Sequence, residues 1–289
     1  MKTSRACRIH RGDVQTAVWT LHQPETRRSV TLVGTYHIGD SRYYREIAAL
    51  ADETEKAGGL VQSEGSELAD PAQLLALTEQ EKQALAARLP SDEQRAKVRE
   101  VLQMGLLVPE FGSLERRPHW RYPDVDKLSQ VRLLGDRATP PTKRARPATP
   151  QQATATRTRS PERDARGKRR AAAAMRWQWR QPIRFAPLTE ALSARSVFRT
   201  VLTNRQEQNA VLDLLAIPGP VDVLAIWGAG HLPGIRAGLV RNGFGMVEMR
   251  WMTAFTKRVP EVPADCAAED AQDLAMPAGA DLQDVPAPQ

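Results

Sequence analysis

Cysteine is almost missing from this chain: Cys7 and Cys266 are its only two in 289 residues, near opposite ends and in polar surroundings. That scarcity excludes a disulfide framework and a cysteine-rich zinc site, both of which need several thiols at set spacings. Long apolar runs are missing as well. No stretch approaches the roughly eighteen apolar residues of a membrane span, and the opening Met1-Lys2-Thr3-Ser4-Arg5-Ala6-Cys7-Arg8 has charge but no apolar segment of the kind a secretion signal carries. The expectation is a soluble, cytoplasmic protein. With 41% hydrophobic residues, the chain can still bury one substantial core, or one core with a satellite.

The net charge of +7 is concentrated in one place. Between Arg137 and Arg170 there are eleven Lys or Arg against Glu162 and Asp164, a balance of +9, which leaves −2 for the remainder. The folded part is therefore not basic, and a general nucleic-acid binder is not indicated. Residues 137–174 are rich in Arg, Pro, Thr and Ala without an apolar period, and read as a disordered basic insert. No aromatic residues interleave with its charges, since Trp177 and Trp179 lie beyond it, so it leaves room only for weak, salt-sensitive contact with nucleic acid. Residues 259–289 turn to Ala, Pro, Asp and Glu without a basic residue and read as a disordered acidic tail. Insert and tail have opposite charge and suit a loose mutual association.

Two halves of a core flank the insert, 14–136 and 175–258. In the first, Val14–Leu21 and Ser29–Val33 suggest an antiparallel hairpin about the turn Gln23-Pro24-Glu25-Thr26. A helix capped by Asp40 or Ser41 follows and stops at Gly58-Gly59; a short strand, Leu60–Ser63, then leads to Glu64. Three capping-box spacings open helices at Asp70, Thr78 and Ser91, which makes this middle region helical. In the second half a helical stretch from Leu188 to Ala216 precedes the strand Val221–Trp227, a helix from His231 to Arg241, and a last strand, Met246–Phe255. Within that strand the apolar run at 223–227, without alternation, is that of an interior strand covered on both faces.

The most informative feature is a pattern that occurs twice. Val30-Thr31-Leu32-Val33-Gly34-Thr35-Tyr36-His37 and Val223-Leu224-Ala225-Ile226-Trp227-Gly228-Ala229-Gly230-His231 each run a strand into G-x-x-H. Random placement of the same glycines and histidines gives about 0.3 such motifs in a chain of this length, so two matched copies carry information. Open sheets bind ligands beyond the carboxyl ends of their strands, where two such turns gather. Gly34, Gly228 and Gly230 permit close backbone approach to a ligand. A histidine at a helix amino terminus is expected to stay neutral, because the dipole disfavours imidazolium, and a neutral ring is free to bind a metal. A catalytic metal generally takes a third protein ligand, for which Glu64 is best placed and Glu67 is the alternative. The same Gly228-Ala229-Gly230 turn equally suits a phosphate or carboxylate in a non-catalytic binding protein.

These residues resemble the TraB/PrgY/GumN family, which includes the Tiki metalloproteases and is related to the EreA/ChaN fold. The likeness rests on Gly34-Thr35-Tyr36-His37-Ile38-Gly39-Asp40-Ser41, on the strand ending at Glu64, and on Gly228-Ala229-Gly230-His231-Leu232-Pro233-Gly234-Ile235 with Gly243-Phe244. It spans about residues 14–136 and 186–257. Arg205 matches the family's helical arginine, and Arg117-Pro118-His119-Trp120-Arg121-Tyr122-Pro123-Asp124 is similar to a segment of some soluble bacterial members. Tyr36 stands where a smaller residue is commoner. The resemblance implies an α/β fold of EreA/ChaN type, with a mixed central sheet, an N-terminal hairpin and an inserted helical region. It further implies a metal-dependent hydrolase acting on peptide or amide bonds, with a peptide or small-molecule substrate. His37, His231 and Glu64 would hold a divalent ion (Zn, Mn or Co), Glu64 or Glu67 would take a proton from water, and Arg205 would stabilise the oxyanion.

Overall fold

The computed structural model describes residues 6–65, 77–86, 107–110, 117–134, 161–184 and 197–259, together with positions 96, 102 and 114. The anticipated hairpin forms from β2 (Asp13–Gln23) and β3 (Arg28–Thr35), paired antiparallel from Val18↔Val33 to Gln23↔Arg28. A short β1 (Cys7–His10) shares the same edge of β2 with β3. The opposite edge of β2 takes β8 (Gly245–Phe255), also antiparallel.

On the other side of β3 the sheet becomes parallel. β7 (Val223–Gly228) pairs with β3, and β5 (Leu60–Ser63) pairs with β7. A strand from the second half of the chain is thus inserted between two strands of the first, and all six residues of β7 are buried. Successive side chains of a strand face opposite ways, so each face acquires its own core. Trp19, Leu32, Ala225 and Trp227 face α5 (Val197–Ala216) and α6 (Leu232–Arg241), meeting Ala210, Leu214, Leu232 and Ile235. Val18, Val33, Leu224 and Ile226 face α1 (Ser41–Lys56), meeting Tyr43, Tyr44, Ile47 and Ala51. Each fully buried large apolar side chain contributes about 1.5–3 kcal/mol of transfer free energy. The fold is a mixed α/β arrangement about a mixed central sheet.

Four smaller elements complete it: β4 (Ile38–Gly39), paired with β6 (Val108–Pro109), α2 (Glu79–Ala86) and α3 (Lys127–Leu134). The Thr78 capping box forms as anticipated, with Thr78 N–H donating to Glu81 Oε2 at 2.9 Å and Glu81 N–H to Thr78 Oγ1 at 3.2 Å. The starts expected at Asp70 and Ser91 lie outside the described residues, as do 137–160 and 260–289 of the two segments read as disordered.

One expectation is overturned. Composition places residues 161–174 in a disordered insert, yet they open a 24-residue helix, α4 (Pro161–Arg184). Lys, Arg and Ala are strong helix formers, and the helix is anchored by a residue that no apolar pattern reveals. The Arg176 side chain is fully buried and donates to Asp40 Oδ1 at 2.6 Å and to the Thr256 carbonyl at 3.1 Å. Arg180 donates to the Gly12 carbonyl at 2.9 Å. Among the described residues no helix is long and apolar enough to cross a membrane.

Candidate functional site

The order β3-β7-β5 decides which loops meet. Thr35 pairs with Gly228, and Ser63 with Ile226, so the chain leaves the sheet toward His37, His231 and Glu64 from three adjacent parallel strands, each about 4.8 Å from the next. The strand bearing His231 lies in the middle.

His231 caps α6, as its position at the strand-to-helix turn implied. Its ring is mostly buried, edge-on to Trp227 with centroids 5.8 Å apart, and it stands between two carboxylates. Nε2 is 3.8 Å from Glu64 Oε1, and Nδ1 is 3.7 Å from Glu207 Oε1. Each carboxylate reaches this place past a glycine. A Cβ on Gly228 would lie 2.8 Å from Glu64 Oε2, the oxygen that accepts the Gly228 N–H. A Cβ on Gly234 would fall far inside contact distance of the Glu207 carboxylate. The two glycines therefore serve the chain's own carboxylates. Gly34 serves packing: a side chain there would meet the Ala17 carbonyl and Leu232 Cδ2, both at 3.1 Å. Gly230 opens onto free space.

His37 departs from the expected geometry. It does not cap a helix, because Ile38 and Gly39 first pair with Pro109 and Val108 and α1 begins only at Ser41. Its side chain is 80% exposed and Nδ1 lies 3.0 Å from Glu110 Oε2, which leaves Nε2 to solvent. The Glu110 N–H donates back to the His37 carbonyl at 3.0 Å. The loop is held from beneath by two tyrosines, Tyr43 Oη donating to the Gly34 carbonyl at 2.8 Å and Tyr44 Oη to the Tyr36 carbonyl at 2.6 Å. Tyr36 packs against Phe255 and donates to the Trp179 carbonyl of α4 at 2.9 Å.

These neighbours shift both imidazoles in the direction opposite to the one expected. The Glu110 hydrogen bond, opposed by burial and aided by the charge of Glu64, holds the His37 imidazole above its ordinary pKa. Burial pulls the His231 imidazole down, but Glu207 and Glu64 outweigh it and the ring is held above its ordinary value too. The dipole argument for neutral rings fails because full carboxylate charges within 4 Å exceed the partial charge at a helix end. Burial, with the charges of Glu110 and Asp124, raises the Glu64 carboxyl above the usual carboxylate range against the pull of His231 and the Gly228 N–H. Asp124, a residue more readily read as structural, enters this field because its N–H bonds the Gly65 carbonyl at 3.2 Å.

A buried polar network positions the pieces. Gln62 accepts from Trp227 Nε1 at 2.9 Å and donates to Asp213 Oδ2 at 2.9 Å and to the Ala210 carbonyl at 3.1 Å. Arg121 Nε donates to the same Asp213 oxygen at 2.8 Å. Strand β5, strand β7, helix α5 and the 117–124 segment are thereby tied at one level. His119 and Trp120 both bond Glu55, which accounts for that segment as a clamp on α1.

The structure thus brings Glu64 and His231 into contact and places His37 at the same sheet edge. It does not bring Arg205 to them: Arg205 is exposed, and Glu207 is the side chain that α5 sends to His231. Two residues along a helix is a turn of about 200°, so the two face opposite sides. Glu67 lies outside the described residues. Glu110 and Glu207 had no role in the sequence reading; Glu207 was detectable from the spacing Glu207, Ala210, Leu214 on the buried face of α5. Among the described residues no three His, Cys, Asp or Glu side chains stand close enough to share one ion. No family model, curated protein or solved structure matches the chain in these comparisons.

Proposed function

We propose that the carboxyl edge of β3, β7 and β5 is a hydrolytic site of the TraB/PrgY/GumN type on an EreA/ChaN-like fold, cleaving peptide or amide bonds. The observation that carries this reading is the register that sets both G-x-x-H turns and Glu64 on three neighbouring parallel strands. His37, fixed through Nδ1 by Glu110, presents Nε2 to solvent and can take a proton from an attacking water once its own proton is lost. Glu64, whose carboxyl is raised by its burial, can give a proton to the departing amine. The His231 ring, held between Glu64 and Glu207, positions the Glu64 carboxyl for that transfer.

The competing class, an anion-binding regulator using the glycine turn, is disfavoured electrostatically. Glu64 already takes the Gly228 N–H, and Glu207 stands over the start of α6; an anionic ligand would have to displace the first and face the charge of the second. The test incubates the full chain with a peptide library and reads new termini by mass spectrometry. Cleavage that is lost in H37Q and E64Q supports the proposal, and cleavage indifferent to both removes it.

A divalent ion held by His37, His231 and Glu64 is the second reading, favoured by the surplus of carboxylates, Glu64, Glu110, Glu207 and Asp124, about two imidazoles. Elemental analysis after dialysis decides it. A stoichiometric ion that disappears in His37→Ala and His231→Ala supports it; equal metal content in all three proteins sinks it.

A further inference from the structure

Helix α4 presents a basic outer face. Arg166, Arg169 and Arg170 are exposed; Arg166, Arg170 and Trp177 recur at spacings of four and seven along the outer side, and Arg169 borders them. Among the described residues no carboxylate forms an ion pair with Arg166, Arg169 or Arg170. Trp177 is 57% exposed. The inner side, Ala172 and Arg176, is buried against the end of β8.

The chain's last described segment leaves the fold at this helix. Arg176 donates to the Thr256 carbonyl at 3.1 Å, and Asp40 joins both by accepting from Arg176 and from the Thr256 N–H at 3.2 Å. Beyond Val259 the sequence has seven carboxylates, Glu261, Asp265, Glu269, Asp270, Asp273, Asp281 and Asp284, and no Lys or Arg. Arg170 and Arg166 lie about 9 and 15 Å along the helix from Arg176. Ten residues of extended chain reach about 33 Å, so Glu269, Asp270 and Asp273 can cover both with slack.

We infer that the acidic segment after Val259, centred on Glu269, Asp270 and Asp273, docks in its own molecule along the outer face of α4. The pairing is between surface charges, and each contact is weak. A tether of this length gives a millimolar effective concentration, which makes many weak contacts sufficient. The clasp also bears on the candidate site, because Tyr36, next to His37, hydrogen-bonds the Trp179 carbonyl of the same helix. A tail that holds α4 down holds the His37 loop with it.

Cys266 allows a direct test in the full chain. With Cys7 replaced by Ser and a nitroxide on Cys266, NMR at 20 mM salt is expected to show amides 166–173 and the Trp177 indole N–H losing more than half their intensity. That loss should disappear at 0.5 M salt and in R166E/R169E/R170E, whose helicity is checked by circular dichroism. Full intensity at low salt, or broadening that survives charge reversal, overturns the inference. So does broadening that appears when labelled chain is mixed with isotope-enriched unlabelled chain, since that means a second copy supplies the tail.

Discussion

Replacing Gly234 by Ala isolates the role of Glu207 in one methyl group. The added Cβ lies well inside the carboxylate's contact distance, with even the farther oxygen, Oε1, only 2.8 Å away. To regain ordinary van der Waals separation the carboxylate withdraws by about 2 Å, which takes Oε1 from 3.7 Å to about 5.5 Å from His231 Nδ1. At an effective dielectric near 20 that forfeits about 1.5 kcal/mol of attraction for the imidazolium. The helix itself gains about 0.5–1 kcal/mol from the exchange of Gly for Ala. The sign follows from the wild-type shift. A His231 pKa raised on folding stabilises the protein fully below the unfolded value near 6.5, and that contribution is lost as pH rises through the folded value. G234A is therefore expected to be destabilised relative to wild type at pH 5.5 and equal or slightly more stable at pH 8.5. The His231 ring resonances should titrate at lower pH than in wild type, because burial then has less to oppose it. Urea unfolding at the two pH values and a ring-proton titration, with His231→Gln to assign the signals, measure both effects. An unchanged titration refutes the claim that Glu207 holds this imidazole.

Glu110→Gln removes the largest cause of the raised His37 pKa, so His37 should titrate lower by NMR while stability scarcely changes, since its side chain is 80% exposed; an unaltered His37 titration would contradict the pairing. Gln62→Leu leaves Trp227 Nε1 buried without its acceptor and should cost about 1–3 kcal/mol by urea denaturation. A loss below about 0.5 kcal/mol would mean that the network is not what ties β5 to β7.

The strands and their turns were legible because their signals are local. The apolar run at 223–227 carried its burial on its face, the Thr78 capping box formed as its spacing implied, and the two G-x-x-H turns marked both strand ends. What could not be read is what depends on facing elements. Arg205 and Glu207 are equally polar neighbours in the sequence, and only the packing of α5 on α6 decides which reaches His231. Glu110 follows Pro109 in a short bridge with no periodicity at all, 73 residues from its imidazole. Helix α4 was misread because its anchor is a buried arginine, which composition counts as solvated. The raised pKa values of the histidines are hidden for the same reason: a helix end is visible in sequence, whereas carboxylates arriving from distant segments are not.

The interposition of β7 between β3 and β5 has a consequence for how this protein can be divided. Neither half owns a finished sheet: the amino-terminal piece would expose the inner edges of two strands, and the carboxyl-terminal piece would offer one wholly apolar ribbon with bare hydrogen-bonding groups on either flank. Fragments severed between residues 137 and 160 should each be aggregation-prone when produced separately, yet soluble when co-expressed, each acting as the other's missing scaffold.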